Sequence, residues 1–177
     1  MKTKYFFIIC LLCSCTSAVF VSCSSKSKNQ ATSAIPQDDG LQYIDFEMET
    51  PDGKLVKVSD FVNKNKYTLV DFWASWCGPC HGEMPTIVKA YDEFHSKGLE
   101  IVGVSLDIDK TDWVKAISEM NMLWPQMSDL KGWESAGAQL YGVRSIPANV
   151  LVNQQGKIVA QDLRGEYLLQ KLGELLK

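Results

Sequence analysis

The segment Tyr67-Thr68-Leu69-Val70-Asp71-Phe72-Trp73-Ala74-Ser75-Trp76-Cys77-Gly78-Pro79-Cys80 restricts the fold more than any other part of the chain. Its first half is a continuous apolar and β-branched run, the pattern of a strand buried on both faces. Its second half opens a helix, because Met84, Ile87, Val88, Tyr91 and Phe94 follow at helical spacing and Gly98 ends the run. Two cysteines three apart on a first helical turn face each other, close enough to bridge without moving the backbone. Cys77 falls at the helix N-terminus, where free N–H groups and the macrodipole favour a thiolate. Gly78 lets another backbone approach. Pro79 suits a helix start, where its missing N–H is not needed. Such a pair supports exchange: Cys77 attacks a partner disulfide, and Cys80 resolves the mixed disulfide.

Two plainer readings compete. A closed zinc site needs four ligands, whereas beyond residue 23 the chain offers no other cysteine and only His81 and His95. An inert structural bridge closing so short a loop would remove little chain entropy and staple the fold poorly. No metal or cofactor is expected.

Around this segment strands and helices alternate. Tyr43, Phe46 and Met48, then Leu55 and Val58, flank Pro51-Asp52-Gly53 and predict an N-terminal β-hairpin. Residues 99–106 predict a second buried strand, and residues 112–120 an amphipathic helix. Residues 148–152 and 158–160 predict a hairpin around Asn153-Gln154-Gln155-Gly156. Leu168, Leu169, Leu172, Leu175 and Leu176 predict a closing helix. The order implies an α/β fold, a mixed sheet with helices on both faces. With 46% hydrophobic residues in 177, the chain can bury one core. Its formal charge of −3 leaves no basic surplus for phosphates, which argues against nucleic acid as a partner.

Cys10, Cys13, Cys15 and Cys23 belong to a different kind of segment. Lys2 and Lys4, the apolar run Tyr5–Leu12 and the small residues before a cysteine describe an export signal. Phe20-Val21-Ser22-Cys23 resembles a bacterial lipobox, as does Leu12-Cys13-Ser14-Cys15. Cys23 is preferred as the lipidated residue because a polar stretch follows it directly. An uncleaved membrane anchor is the alternative, weakened by the hydroxylated residues in its second half. Expected are a signal peptide over 1–22, a flexible tether over 23–40 and a domain over 41–177. Loss of residues 1–22 leaves 16 cations against 21 acids, a net −5. Residues 24–40 as a coil would span about 20–25 Å. The expected location is the cell envelope, on the periplasmic side of a bacterial membrane.

Residues 70–80 resemble the active-site segment of thioredoxins. With Asp52-Gly53-Lys54, Ser59-Asp60-Phe61, Glu83-Met84-Pro85 and Ser145-Ile146-Pro147, the frame from 41 to 177 is similar to the TlpA/ResA group. That group consists of extracytoplasmic, membrane-attached thiol-disulfide oxidoreductases related to AhpC/TSA domains. The resemblance implies a thioredoxin fold with Cys77 and Cys80 as a redox-active disulfide. It implies a cis bond at Ile146-Pro147, whose backbone would receive a client beside Trp76, Gly78 and Pro79. Glu83 matches the group's acid after the second cysteine, and helical spacing puts it near Cys80. Asp71 matches the buried acid of thioredoxins, a base with a raised pKa that would take the proton of Cys80. Their plainer readings are a solvated helix face and a hydrogen-bonded structural acid. The lysine that thioredoxins place near that acid has no counterpart in Val102-Gly103-Val104-Ser105-Leu106. His81 reads as a surface residue. Trp113, Trp124 and Trp133 read as core, whereas Trp73 and Trp76 are expected on the exposed rim. Residues 121–137 read as an insertion that shapes partner choice.

The implied function is reduction of disulfides in exported proteins, apocytochrome c among them by analogy. Electrons would come from a membrane donor, the protein being a monomer held to the membrane surface by its lipid. Two rivals remain: a peroxiredoxin-like peroxidase, although the Pro-x-x-x-Thr-x-x-Cys pattern is missing before Cys77, and a tethered binding module without catalysis.

Overall fold

The computed structural model describes residues 40–177, so the expected signal peptide, Cys15, Cys23 and nearly all of the tether lie outside the described residues. The strand expected from the apolar run is β3 (Tyr67–Trp73), and it is buried from its second residue to its last. Successive side chains of a strand point to opposite faces, so burial at every position requires cover on both. Phe72 meets Tyr141, which also packs edge-on against Phe46 of the N-terminal arm. Asp71 and Trp73 face the other way.

β4 (Leu99–Ser105) runs parallel to β3, and the short edge strand β5 (Gln126–Met127) runs parallel to β4. β6 (Ala148–Asn153) and β7 (Ile158–Gln161) complete the sheet on the other side, both antiparallel to their neighbours. The order β5-β4-β3-β6-β7 is the mixed sheet of a thioredoxin fold, with β3 at its centre. β1 (Glu47–Glu49) and β2 (Leu55–Lys57) form the expected N-terminal hairpin. Gly53 turns it at φ 82°, a backbone region that favours glycine.

α2 (Gly78–Phe94) continues into a 3₁₀ turn (His95–Lys97), which Gly98 closes at φ 111°. Pro85 inside α2 removes the N–H that would pair with the His81 carbonyl. α3 (Lys110–Glu119) starts two residues before the expected position, because Asp109 caps it by accepting the N–H groups of Thr111 and Asp112. α5 (Gly165–Leu175) packs against α2. The one-turn helix α1 (Ser59–Val62), β5 and α4 (Ala136–Leu140) were not foreseen. Val58 is not a strand residue but the helical cap of α1. The insertion 121–137 thus supplies an edge strand, a 3₁₀ turn (Gly132–Glu134) and the start of α4.

Candidate active site

Cys77 is the N-cap of α2, and its Sγ accepts the N–H of Cys80 at 3.2 Å. The two cysteines are joined in a disulfide with Cα atoms 5.2 Å apart. Both are buried, whereas Gly78 and Pro79 between them are exposed. The helix start therefore offers backbone to a visitor while shielding the sulfurs. The turn leading into it is pinned by buried Asp107, whose carboxylate accepts the Ser75 N–H at 3.1 Å, the Ser75 hydroxyl at 2.6 Å and the Ser105 hydroxyl at 2.7 Å. His81 is exposed, as expected, and its Nε2 donates to the Ser75 carbonyl at 2.7 Å.

Asp71 is buried in one polar row across the sheet. Gly103 stands beside it on β4, Asn149 beside it on β6, and Gln126 beside Gly103 on β5. Burial pushes the Asp71 carboxyl up from 3.8 to about 7. Arg164 pulls the other way, Glu83 adds to the rise, and a hydrogen bond from Asn149 lowers it slightly. Asn149 is itself held, donating to the Leu163 carbonyl and accepting the Leu163 N–H, both at 2.9 Å. Glu83 is half-buried rather than solvated, and its carboxylate accepts the N–H of Gly165 at 2.6 Å. Ile146-Pro147 is cis and half-buried. The Pro147 carbonyl accepts from Arg164 Nη2.

The tryptophans divide differently from expectation. Trp76 is 53% exposed beside Cys77, as expected, but Trp73 is fully buried rather than on the rim. It is the last residue of β3 and faces the same side as Asp71, and its indole N–H donates to Gln126 Oε1 at 3.0 Å. Trp113 and Trp124 are core residues. Trp133 is 44% exposed, its ring centroid 6.1 Å from that of Trp76. The 3₁₀ turn of the insertion thus carries Trp133 out to the rim and extends the exposed apolar surface beside the disulfide. Arg164 was not singled out by sequence. A single arginine before a helix carries no spacing signal, and only the fold brings it to Pro147.

The AhpC/TSA family model matches residues 40–161. The thiol-disulfide oxidoreductase ResA of Bacillus thuringiensis subsp. konkukian is 33% identical over 140 residues, 78% of this chain and 76% of its own length. The ResA of Bacillus subtilis is 30% identical over 121 residues, covering 68% and 65%. Among solved structures, the thioredoxin domain of a thiol-disulfide oxidoreductase from Bacteroides vulgatus matches with a TM-score of 0.72 at 36% identity, over 78% of this chain and 97% of that one. A thiol:disulfide interchange protein from Bacteroides sp. matches with a TM-score of 0.70 at 35% identity, over 77% and 89%.

Proposed function

The chain belongs to the AhpC/TSA family, in its thioredoxin-like TlpA/ResA group, and is a thiol-disulfide oxidoreductase; from that premise we propose that it works outside the cytoplasm as a reductant of disulfides in exported proteins. The observation that carries the reading is the Cys77–Cys80 pair capping α2, in a sequence whose Gly-Pro spacer is that of reducing thioredoxins. In the reduced protein the Cys77 thiolate attacks one sulfur of the client cystine. The client S–S bond breaks, a Cys77–client bond forms, and one client thiolate leaves. Cys80 then gives its proton to the Asp71 carboxylate and attacks the Cys77 sulfur. The Cys77–Cys80 bond forms, the second client thiolate leaves and takes a proton from water, and two electrons have passed to the client. Trp76, Gly78, Pro79, Ile146 and Pro147 receive the client. Glu83 supports resolution from the neighbouring turn of α2.

Anchoring is through Cys23, lipidated after removal of residues 1–22, and a membrane protein returns electrons to the pair. Apocytochrome c is a client consistent with these features, and the protein acts as a monomer. No helix among the described residues is long and apolar enough to cross a membrane. Titration of the Cys77/Cys80 couple against a glutathione series tests the direction of electron flow. A reductant lies near the thioredoxin potential of about −270 mV, and a value near the oxidant range of about −120 mV would refute the proposal. Radiolabelled fatty acid should enter the protein and be lost in Cys23→Ala.

A further inference from the structure

Burial favours the protonated form of an acid, and a neighbouring positive charge favours its anion. Among the described residues no strand supplies a charge to Asp71. On β4 the register position beside it is Gly103, where a Cβ would collide with the Gln126 amide. That amide already accepts from Trp73 and carries no charge. On β6 the neighbour is Asn149, also neutral. The charges that act on Asp71 come from the helices, Glu83 on α2 and Arg164 at the start of α5, and the former is of like sign. The cysteines of α2 are joined in the disulfide.

Among the described residues Arg164 is the one cation acting on Asp71, and its position is determined by the backbone. Nη1 donates to the carbonyl of Leu163 at 3.0 Å, and Nη2 donates to the carbonyl of Pro147. Asp162 lies 3.9 Å from Nη2, but it is largely exposed and water screens it. The residue after Arg164 is Gly165, whose N–H is held by Glu83. A single turn of chain therefore connects the cis-proline loop, the active-site helix and the buried acid. A guanidinium suits this place better than an ammonium, because its planar fork can reach two carbonyls at once while remaining charged.

We propose that Arg164 is a positioning residue of the exchange site: one guanidinium braces the Pro147 carbonyl behind the client-binding loop and holds a fixed positive charge towards Asp71. It supplies, from the start of α5, the charge that Gly103 cannot provide on β4. The role rests on Asp71 being the base of the resolving step, and its test separates the two.

The carboxyl carbon of Asp71 is followed by NMR against pH in the oxidised full-length protein, and single-turnover resolution is measured in the reduced one. In Arg164→Gln the Asp71 midpoint moves upward and the resolution rate profile moves to higher pH. Resolution at pH 7 falls by about fivefold and recovers as the pH rises. Arg164→Lys keeps the charge and restores most of the profile. An unchanged or lowered Asp71 midpoint in Arg164→Gln overturns the proposal. Should that variant not fold, the guanidinium ¹⁵N resonances of Arg164 in the unaltered protein decide. They must titrate with the Asp71 midpoint, and a flat response overturns it. Asp71→Asn tests the base separately, because a pH profile unaltered by that change removes the base and leaves the Arg164 measurement standing.

Discussion

Glu83, on the second turn of the active-site helix, accepts the N–H of Gly165 at 2.6 Å and so ties α2 to the first residue of α5. Gly165 sits at φ 48°, in the left-handed region, so its amide is presented to Glu83 by a backbone that glycine adopts most easily. Two properties of Glu83 can be separated here. Its oxygen satisfies a free N–H at a helix start, and its charge disfavours the anion of Asp71. Glu83→Gln keeps an acceptor and loses the charge. Stability should change by less than about 0.5 kcal/mol, and the Asp71 midpoint should move downward. Glu83→Ala loses both, costs about 1–2 kcal/mol in denaturant melts and slows resolution more than attack. A raised Asp71 midpoint in Glu83→Gln would count against the arrangement.

Asp71 carries a stability prediction with a definite sign. Its carboxyl titrates near 7 when folded, against an ordinary value of 3.8. The folded state therefore holds the proton more tightly than the unfolded state, and stability falls as pH rises from about 4 to about 7. Above that window the buried charge costs up to roughly 4 kcal/mol. Asp71→Asn in the oxidised protein should leave the melting temperature nearly unchanged at pH 4 and raise it at pH 8. The same variant should slow resolution on the order of 100-fold and leave the first attack intact. Equal slowing of both steps in stopped-flow traces would remove the base from the mechanism.

What could be read from sequence and what could not divides along physical lines. β3, β4 and the CxxC helix were legible because burial on two faces writes a continuous apolar run, and a helix repeats its apolar positions. α1, β5 and α4 span two to five residues, too few for any periodicity to register. The exchange of Trp73 and Trp133 between rim and core has the same origin. A tryptophan is buried or exposed by what covers it, and the cover over Trp73 comes from distant parts of the chain. Asp71 stood out because an acid in an apolar run is anomalous by itself. Its cation did not, since the charge of Arg164 is brought to act on it only after β6, β7 and α5 are in place.

Trp133 should set affinity for protein clients without touching the chemistry. It is 44% exposed and lies tilted against Trp76 at the edge of the disulfide, ring centroids 6.1 Å apart, so a polypeptide reaching Cys77 can cover both rings. Large aromatic rings that become buried on binding carry much of the affinity at such surfaces. Trp133→Ala should raise KM for reduction of insulin disulfides by about tenfold and leave kcat within about twofold. Reduction of a small disulfide, which cannot span the two rings, should be unaffected. A variant equally impaired on both substrates would place Trp133 in the framework of the site instead of its docking face.

Asp107 tests whether the approach to Cys77 must be rigid. Its buried carboxylate accepts from the Ser75 backbone, the Ser75 hydroxyl and the Ser105 hydroxyl, which fastens the turn carrying Trp76 and Cys77 to the end of β4. Hydrogen bonds to a buried charge are worth about 1.5–3 kcal/mol each and are not additive in a shared network. Asp107→Ala leaves the Ser75 and Ser105 donors without their acceptor and should cost about 2–4 kcal/mol. Asp107→Asn retains one acceptor oxygen and should cost less. The functional consequence is distinct from the loss of stability. At a temperature where Asp107→Asn remains fully folded, attack by Cys77 should slow while the pH dependence of resolution, governed by Asp71, stays as in the unaltered protein. A shifted pH profile in Asp107→Asn would mean that the Ser75 turn and the Asp71 row form one electrostatic unit, contrary to their separate hydrogen-bond partners.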